Sequence, residues 1–350
     1  MAPKKKQASV EEAPKLAADA SKEDRFAAAM EQMRKKHGKE AISTFGEEES
    51  NVSLEVKPLP TGLLPVDRAT GIGGVPKGRV IEIYGPESSG KTTVCLHTIK
   101  QLQMAGEFPV YVDLENALSG THLTNIGIRN LTILNPDSAE HALNMLEDLS
   151  KAGICLTVVD SVSALSPEGE QEKEIGQQQP GRVAALMSET LRRIVGINGK
   201  TGATTMFINQ IRMKIGVSYG NPETTSGGNA LKFYSSMRMD LRKIETLKTG
   251  DVSYANRVRL KIVKNKVAPP FTEEEFVLYY DAKKTEAANV LEVGSKIGII
   301  DKSGTWYSYN GDRLGQGLAN SVEFLISNPT LLNEIYGLCM KPENLFKKAV

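Results

Sequence analysis

The stretch Arg79–Thr93, RVIEIYGPESSGKTT, decides the fold. Val80 to Tyr84 is a short run, mostly apolar with β-branched residues, and reads as a buried strand. Gly85-Pro86-Glu87-Ser88-Ser89-Gly90-Lys91-Thr92 follows, then Thr93 and a segment of helical character from Val94 to Met104. That is strand, loop, helix. The loop fits G-x-x-x-x-G-K-[ST], whose glycines let the backbone close on a phosphate chain and whose N–H groups point at the anion. In this pattern Lys91 reaches the outer phosphates, Thr92 offers its hydroxyl to magnesium, and the next helix turns its positive N-terminus to the same charge. A chance glycine-rich turn is disfavoured by the strand before it and the helix after it. The pattern specifies a nucleoside triphosphate site and leaves the reaction open.

Around this loop there is room, in 350 residues, for one large α/β core with smaller appendages. Lys plus Arg number 43 against 42 for Asp plus Glu, a net charge of +1, so any polyanion must be held by a local patch. No run of about 18 apolar residues occurs, and Met1 to Ala20 lacks the apolar middle of a signal peptide. A soluble, cytoplasmic protein without a membrane partner is expected. Cys95, Cys155 and Cys339 lie far apart with no C-x-x-C spacing, which suits buried thiols better than a disulfide or a zinc site.

Residues 1–20 are rich in Lys, Ala and Glu and read as a disordered arm, a solvated tail more readily than a nucleic-acid contact. Residues 21–50 hold a helix and linker: Ser21 and Asp24 resemble a capping box, Phe26, Met30 and Met33 recur at helical spacing, and Gly38 is a stop. Residues 51–285 form the core. From Asn51 to Arg79 prolines and glycines predict turns. Further strands are predicted over Phe108–Leu114, Cys155–Asp160, Thr204–Asn209 and Met237–Ile244, with helices near Ser138–Ala152 and Val183–Ile197. Such alternation implies a mostly parallel sheet covered on both faces, with ligands beyond the carboxyl ends of the strands. Arg257–Lys266 and Glu275–Tyr280 read as an antiparallel addition. Residues 286–350, with the single tryptophan Trp306, read as a small α+β lobe.

The strand ending Val158-Val159-Asp160 supplies a carboxylate placed to hold magnesium through its water shell. Tyr111-Val112-Asp113-Leu114-Glu115 ends in a second, where Glu115 suits a general base and Asp113 a surface or N-cap acid. Phe207-Ile208-Asn209-Gln210 ends in amides, and Gln210 is placed to sense the γ phosphate. Ile211 to Asn229 shows no clear periodicity and reads as a functional or mobile loop. Its Arg212, Lys214, Tyr219, Gly227, Gly228 and Asn229 suit a single nucleic-acid strand, with a protein-binding loop equally open. Pro167 to Gly181 is a second irregular loop.

GPESSGKTT at Gly85–Thr93, FINQIRMKIG at Phe207–Gly216, GNPETTSGGNALKFY at Gly220–Tyr234, VKNK at Val263–Lys266 and WYSY at Trp306–Tyr309 resemble the bacterial RecA recombinase family. The similarity runs in order from about Lys22 to Leu338. It implies a phosphate-loop NTPase core of the RecA-like kind and a helical filament on single-stranded DNA. ATP and magnesium would assemble that filament, which pairs its strand with homologous double-stranded DNA. It further implies that Lys91, Thr92 and Asp160 bind nucleotide and metal, that Glu115 activates water, and that Gln210 couples the γ phosphate to the DNA loop. Lys264 and Lys266 match lysines that reach a neighbouring subunit's nucleotide. Ser188, Arg192, Arg212 and the Gly227-Gly228-Asn229 turn match contacts to the DNA backbone. The N-terminal helix, through Phe26 and Met30, and Phe233 match the subunit interface, and a LexA-like repressor is an implied partner.

The departures are specific. Family members usually carry Glu-His-Ala-Leu-Asp and a tyrosine shortly after, of which the Asp and the tyrosine contact adenine, whereas this chain has Glu115-Asn116-Ala117-Leu118-Ser119 and then His122. His122 and Tyr280 are left to flank the base. Ser218-Tyr219 replaces a large apolar pair, and Phe346–Val350 replaces an acidic tail. These changes suggest a divergent member, with a phage-encoded one among the options. Two other readings stand beside strand exchange: a nucleotide-gated DNA coat or signalling filament, and a hexameric helicase motor, which lacks any further motor or primase module.

Overall fold

The computed structural model describes residues 21–38, 42, 55–171, 181–213, 216, 220 and 222–345. It divides into two compact units, Met1–Val56 and Lys57–Val350. The first contains α1 (Lys22–His37). Ser21 Oγ accepts from Asp24 N at 3.1 Å while the Asp24 carboxylate accepts from Ser21 N at 3.3 Å, a complete capping box. Acids in its first turn and Arg34 to His37 in its last complement the helix dipole, and Gly38 at φ 91° ends it. None of its residues is buried, and Phe26 is 64% exposed.

The second unit runs β1 (Pro58–Leu59), α2 (Leu64–Ala69), β2 (Val75–Pro76), β3 (Val80–Gly85), α3 (Lys91–Met104), β4 (Val110–Asp113), α4 (Gly120–Ile126), β5 (Thr132–Leu134), α5 (Ala139–Lys151), β6 (Thr157–Asp160), α6 (Glu168–Gln171) and α7 (Arg182–Thr201). Then come β7 (Thr205–Met213), β8 (Glu223–Thr225), α8 (Ala230–Tyr234), β9 (Met237–Thr249), β10 (Val252–Asn265), β11 (Glu273–Tyr279) and α9 (Ala282–Lys296). The main sheet has the order β11-β10-β9-β3-β7-β6-β4-β5. Strands from β9 to β5 are parallel, and β10 and β11 are antiparallel additions.

Strand period two sorts the core. Ile81, Ile83, Tyr111, Val158, Met206 and Ile208 pack on one face with α3 and α4, whereas Val80, Val112, Val159 and Phe207 pack on the other with α5, α7 and α8. A third cluster fills the lobe, made of β12 (Asp301–Ser303), β13 (Trp306–Tyr309), β14 (Asp312–Gln316), α10 (Gly317–Ser327), α11 (Pro329–Cys339) and α12 (Pro342–Leu345), packed on α9. Leu64 of α2 joins that cluster, and Tyr336 donates to buried Asp67 at 2.7 Å. The three cysteines are free and buried. Among the described residues no helix is long and apolar enough to cross a membrane.

Several local expectations need correction. The turn-rich approach to β3 contains α2, wholly buried, because Pro65 at its first turn costs no helix hydrogen bond and lets a short helix form between glycines and prolines. Phe108 is outside β4 and 84% exposed. The stretch from Ile211 is not irregular at its ends: β7 continues to Met213 and pairs antiparallel with β8, Arg212 opposite Thr224. Pro167–Gly181 opens with α6. The expected disordered arm 1–20, most of the second loop (residues 172–180), Lys214, Ser218, Tyr219 and the terminus from Phe346 lie outside the described residues.

Candidate nucleotide and DNA site

Sheet register gathers the polar strand ends. Gly85 pairs with Gln210 and Asp113 with Asp160, so four carboxyl ends open on one edge. At that edge the phosphate loop is held in a shape only glycine permits. A Cβ on Gly85 would lie 2.0 Å from Leu241 O, and Gly90, at φ 95°, would press one against Leu278 at 2.5 Å. Gly90 caps α3 without a side-chain hydrogen bond, leaving the first-turn N–H groups of α3 for an anion. Pro86, Glu87 and Ser88 are exposed, Ser89 is buried with its hydroxyl unpartnered, and Thr93 is partly buried.

Lys91 folds back on this loop, its Nζ donating to Gly85 O at 3.1 Å and Pro86 O at 2.7 Å. Burial pushes its pKa down, with Asp160 and Glu115 opposing. One oxygen of Asp160, Oδ2, accepts from Thr92 Oγ1 at 2.9 Å and from the Tyr111 hydroxyl at 2.6 Å. Burial raises the Asp160 pKa against these two hydrogen bonds. Tyr111 read in the sequence only as a strand residue; its place two before Asp113 on the neighbouring strand was the available signal.

Glu115 is exposed at the mouth of the edge. Its Oε1 accepts from the Ser161 hydroxyl and from Gln210 Nε2, the latter at 3.1 Å, and Ser161 in turn meets Ser163 Oγ at 2.5 Å. Asp113 is neither a surface acid nor a helix cap. It is 6% exposed and accepts from Ala117 N and Leu118 N at 3.3 and 3.2 Å, tying down the turn that carries Glu115. A carboxylate inside the strand end satisfies these orphan amides, which a solvent-facing one would not.

Beside the phosphate loop opens a cavity of about 550 Å³, lined by Ser88, Gly90, Thr93, His97, His122, Asn125, Tyr279 and Tyr280 among others. Burial lowers the His122 pKa, with His97 adding to it. His122 and Tyr280 thus share one wall system with the loop; His97 and Tyr279 were not singled out in the sequence.

The DNA candidates form a second edge. Gly227 and Gly228 both sit at φ 76°, where a Cβ would lie 2.7 Å from Val162 and 2.8 Å from Ala184. Ala184, Ser188 and Arg192 follow one another at i, i+4 on α7, so the turn lies along the same helix face. Arg192, Gly228 and Asn229 are exposed. Below the turn, buried Glu82 accepts from Asn209 Nδ2 at 2.9 Å and Arg238 Nε at 2.5 Å, and the same Asn209 amide donates to Ser226 O at 3.0 Å. Arg212 is exposed, and Glu223, its conceivable tether, is instead gripped by Arg242 Nη1 and Nη2 at 2.9 and 2.7 Å.

Phe233, on α8, is 72% exposed. Lys264 Nζ donates to Lys232 O at 2.7 Å and Phe233 O at 2.9 Å, capping that helix, and burial lowers its pKa with Lys266 and Arg238 assisting. Lys266 is exposed. On α1, Met30 is part-buried, and α1 belongs to the other unit.

An open parallel sheet with a phosphate loop at its first core strand, an acid at the end of the neighbouring-but-one strand and a glycine cradle defines a phosphate-loop nucleoside triphosphatase. Residues 24–284 match the RecA N-terminal domain and residues 288–341 the RecA C-terminal domain. The chain is 48% identical over 322 residues to Protein RecA of Methylobacterium radiotolerans, covering 91% of this chain and 88% of that one. Protein RecA of Geobacter sulfurreducens is 49% identical over 312 residues, with 88% and 92% covered, and that of Clostridium novyi 48% over 321, with 91% of each. The chain belongs to the RecA family. It is an ATP-dependent DNA recombinase of DNA repair, a DNA-binding, self-associating, DNA-dependent ATPase.

Proposed function

We propose that the chain assembles with ATP and magnesium into helical filaments on single-stranded DNA, pairs that strand with homologous double-stranded DNA and exchanges strands, in the cytoplasm. A LexA-like repressor is proposed as a filament partner on family membership. One observation carries the coupling of ATP to DNA: Gln210, at the root of the β7–β8 hairpin, donates to Glu115. A γ phosphate entering this edge competes for both groups, so nucleotide state is felt at the foot of the DNA hairpin.

In this reading Gly85 to Thr93 wrap the phosphates and Lys91 leaves its carbonyls to neutralise them. Thr92 and Asp160 would hold magnesium, because a hydroxyl and a carboxylate oxygen already meet at 2.9 Å and are the hard donors that ion takes. Bound there, the ion would stabilise charge on the phosphate oxygens. Glu115 orients the attacking water and takes its proton, an effect worth about 10² to 10⁴ in rate. His122 and Tyr280 flank the base. Lys264 and Lys266 act on the nucleotide of the next protomer, α1 docks on that protomer through Phe26 and Met30, and Phe233 lies in the same interface. Ser188, Arg192, Arg212, Gly227, Gly228 and Asn229 hold the phosphates of the primary strand, a contact that positions without reading sequence.

A homologous-pairing assay in ATP tests the activity. Joint molecules should form with the parent protein; ATP-dependent coating of the strand without pairing would favour the coat reading instead. Mixing Lys266→Ala with Glu115→Gln protein tests the shared site: turnover should depend on which subunit supplies which residue, and strictly additive activity would remove action across the boundary.

A further inference from the structure

Sheet register brings an aromatic ring against the acid at the end of β6. Tyr111 on β4 pairs with Val158 on β6, and Asp113 with Asp160. Side chains on one face recur every second residue, so Tyr111, Val158 and Asp160 share the face that α3 covers. The ring is 1% exposed and packs in the apolar cluster of that face, a setting that asks for a ring but not for a hydroxyl. A hydroxyl buried there gives up its water and needs a partner in return. It donates to Asp160 Oδ2 at 2.6 Å.

Thr92 Oγ1, in the first turn of α3, donates to the same oxygen at 2.9 Å. Asp160 Oδ2 is therefore held from the sheet and from the helix, and both donors fall on that one atom. Two donors from different directions fix the rotation of the carboxylate, so Oδ1 keeps a set direction and is committed to neither of them. With Thr92 alone the group is freer to turn, because the terminal torsion of an aspartate is broad.

We propose that Tyr111 is a positioning residue for the divalent ion that accompanies the nucleotide, acting through Asp160. The proposal rests on the reading in which Thr92 and Asp160 hold magnesium. The phenol hydroxyl acts only on the orientation of the carboxylate, the part that an outer hydrogen-bond donor plays behind a metal ligand. Its loss weakens the hold on the ion and leaves the phosphate loop's own hold on the nucleotide untouched.

Equilibrium binding of β,γ-imido-ATP, which is not hydrolysed, to the full chain in excess magnesium and in EDTA tests this. The ratio of the two affinities measures how much more tightly the ion is held in the complex than on the free nucleotide. Tyr111→Phe, which keeps the ring and loses the donor, should lower that ratio about tenfold and leave the affinity in EDTA unchanged. Tyr111→Met, also without a donor and able to fill an irregular gap, should do the same and serves if the phenylalanine variant fails to fold. A ratio equal to the parent's, whether affinity is unchanged or falls equally with and without magnesium, overturns the proposal, because a hydroxyl that served the fold alone would give that result. Asp160→Asn separates the two failures. It should lower the ratio at least as far, and adding Tyr111→Phe to it should lower the ratio no further. If Asp160→Asn itself keeps the parent's ratio, the magnesium reading fails and takes the proposal with it.

Discussion

Two turns in this protein are built on glycine, and they use it in opposite ways. The phosphate loop closes inward: Gly85 and Gly90 are crowded by Leu241 and Leu278 from the sheet's own strands, and the amides at the start of α3 face the pocket. The Gly227-Gly228 turn lies flat on Val162 and Ala184, with Gly228 and Asn229 exposed. In the proposed reading the first turn wraps a small polyanion and the second presents backbone to a long one that stays on the surface. The same residue type therefore gives an enclosed site or an open one according to what it is pressed against.

The comparison breaks most visibly at chemistry. Glu115→Gln should lower ATP turnover by about 10² to 10⁴ while leaving ATP-dependent DNA binding in place, because the variant keeps the side chain's shape and an acceptor oxygen but cannot take a proton; stopped turnover with lost DNA binding would mean that Glu115 holds the loop rather than the water. Next, Gly227→Val should reduce single-stranded DNA affinity by about tenfold or more, since a branched residue in left-handed backbone costs about 1 to 2 kcal/mol and also meets Val162. ATP binding without DNA is the control, and it should not move.

Smaller effects sharpen the division. Lys264→Met should lower stability by up to about 1 kcal/mol through the lost cap on α8, whereas Lys266→Met should not, although both should impair DNA-stimulated hydrolysis. Thermal unfolding set beside turnover separates cap from shared-site action. Arg212→Ala should make the salt dependence of DNA binding shallower by about one unit of slope. An unchanged slope would take Arg212 out of the DNA surface.

The smallest effect lies away from both turns. Burial pushes the Asp67 carboxyl up to about 7, with hydrogen bonds from Thr61 and Tyr336 opposing. Between the ordinary carboxylate range and about pH 7 the folded protein holds a proton that the unfolded chain releases, so this group's stabilising contribution is complete in acid and is lost as pH rises through about 7. Melting temperatures at about pH 5.5 and about pH 8 should therefore fall less for Asp67→Asn than for the parent.

The sheet and the phosphate loop were legible because they are written locally. Strand period, the loop pattern and the terminal acids each occupy a few consecutive residues. What escaped depends on distant partners. Thr132–Leu134 has little buried side chain and is a strand only because β4 offers it an edge. β8 exists because β7 runs past the sheet, and α2 is buried because the lobe comes back onto Leu64 and Asp67. Asp113 looked like a surface acid because it ends its strand, yet it is buried there and holds the turn at Ala117 and Leu118. His97 was hidden among the mostly apolar buried residues of α3, and only its spacing from Thr93 marked it.

Glu82 has a consequence for anyone assembling chimaeras from relatives of this chain. Its carboxylate is shared by Asn209 and Arg238, and Asn209 also fixes Ser226, so one acid on the phosphate-loop strand sets where the glycine turn begins. Removing one partner strands a buried charge at a cost of about 3 to 5 kcal/mol. A β7–β8 hairpin transplanted without its strand mates would inherit no anchorage. The unit that can be swapped is the quartet of Glu82, Asn209, Ser226 and Arg238, and the boundaries of a workable graft are drawn by that quartet rather than by the hairpin's own ends.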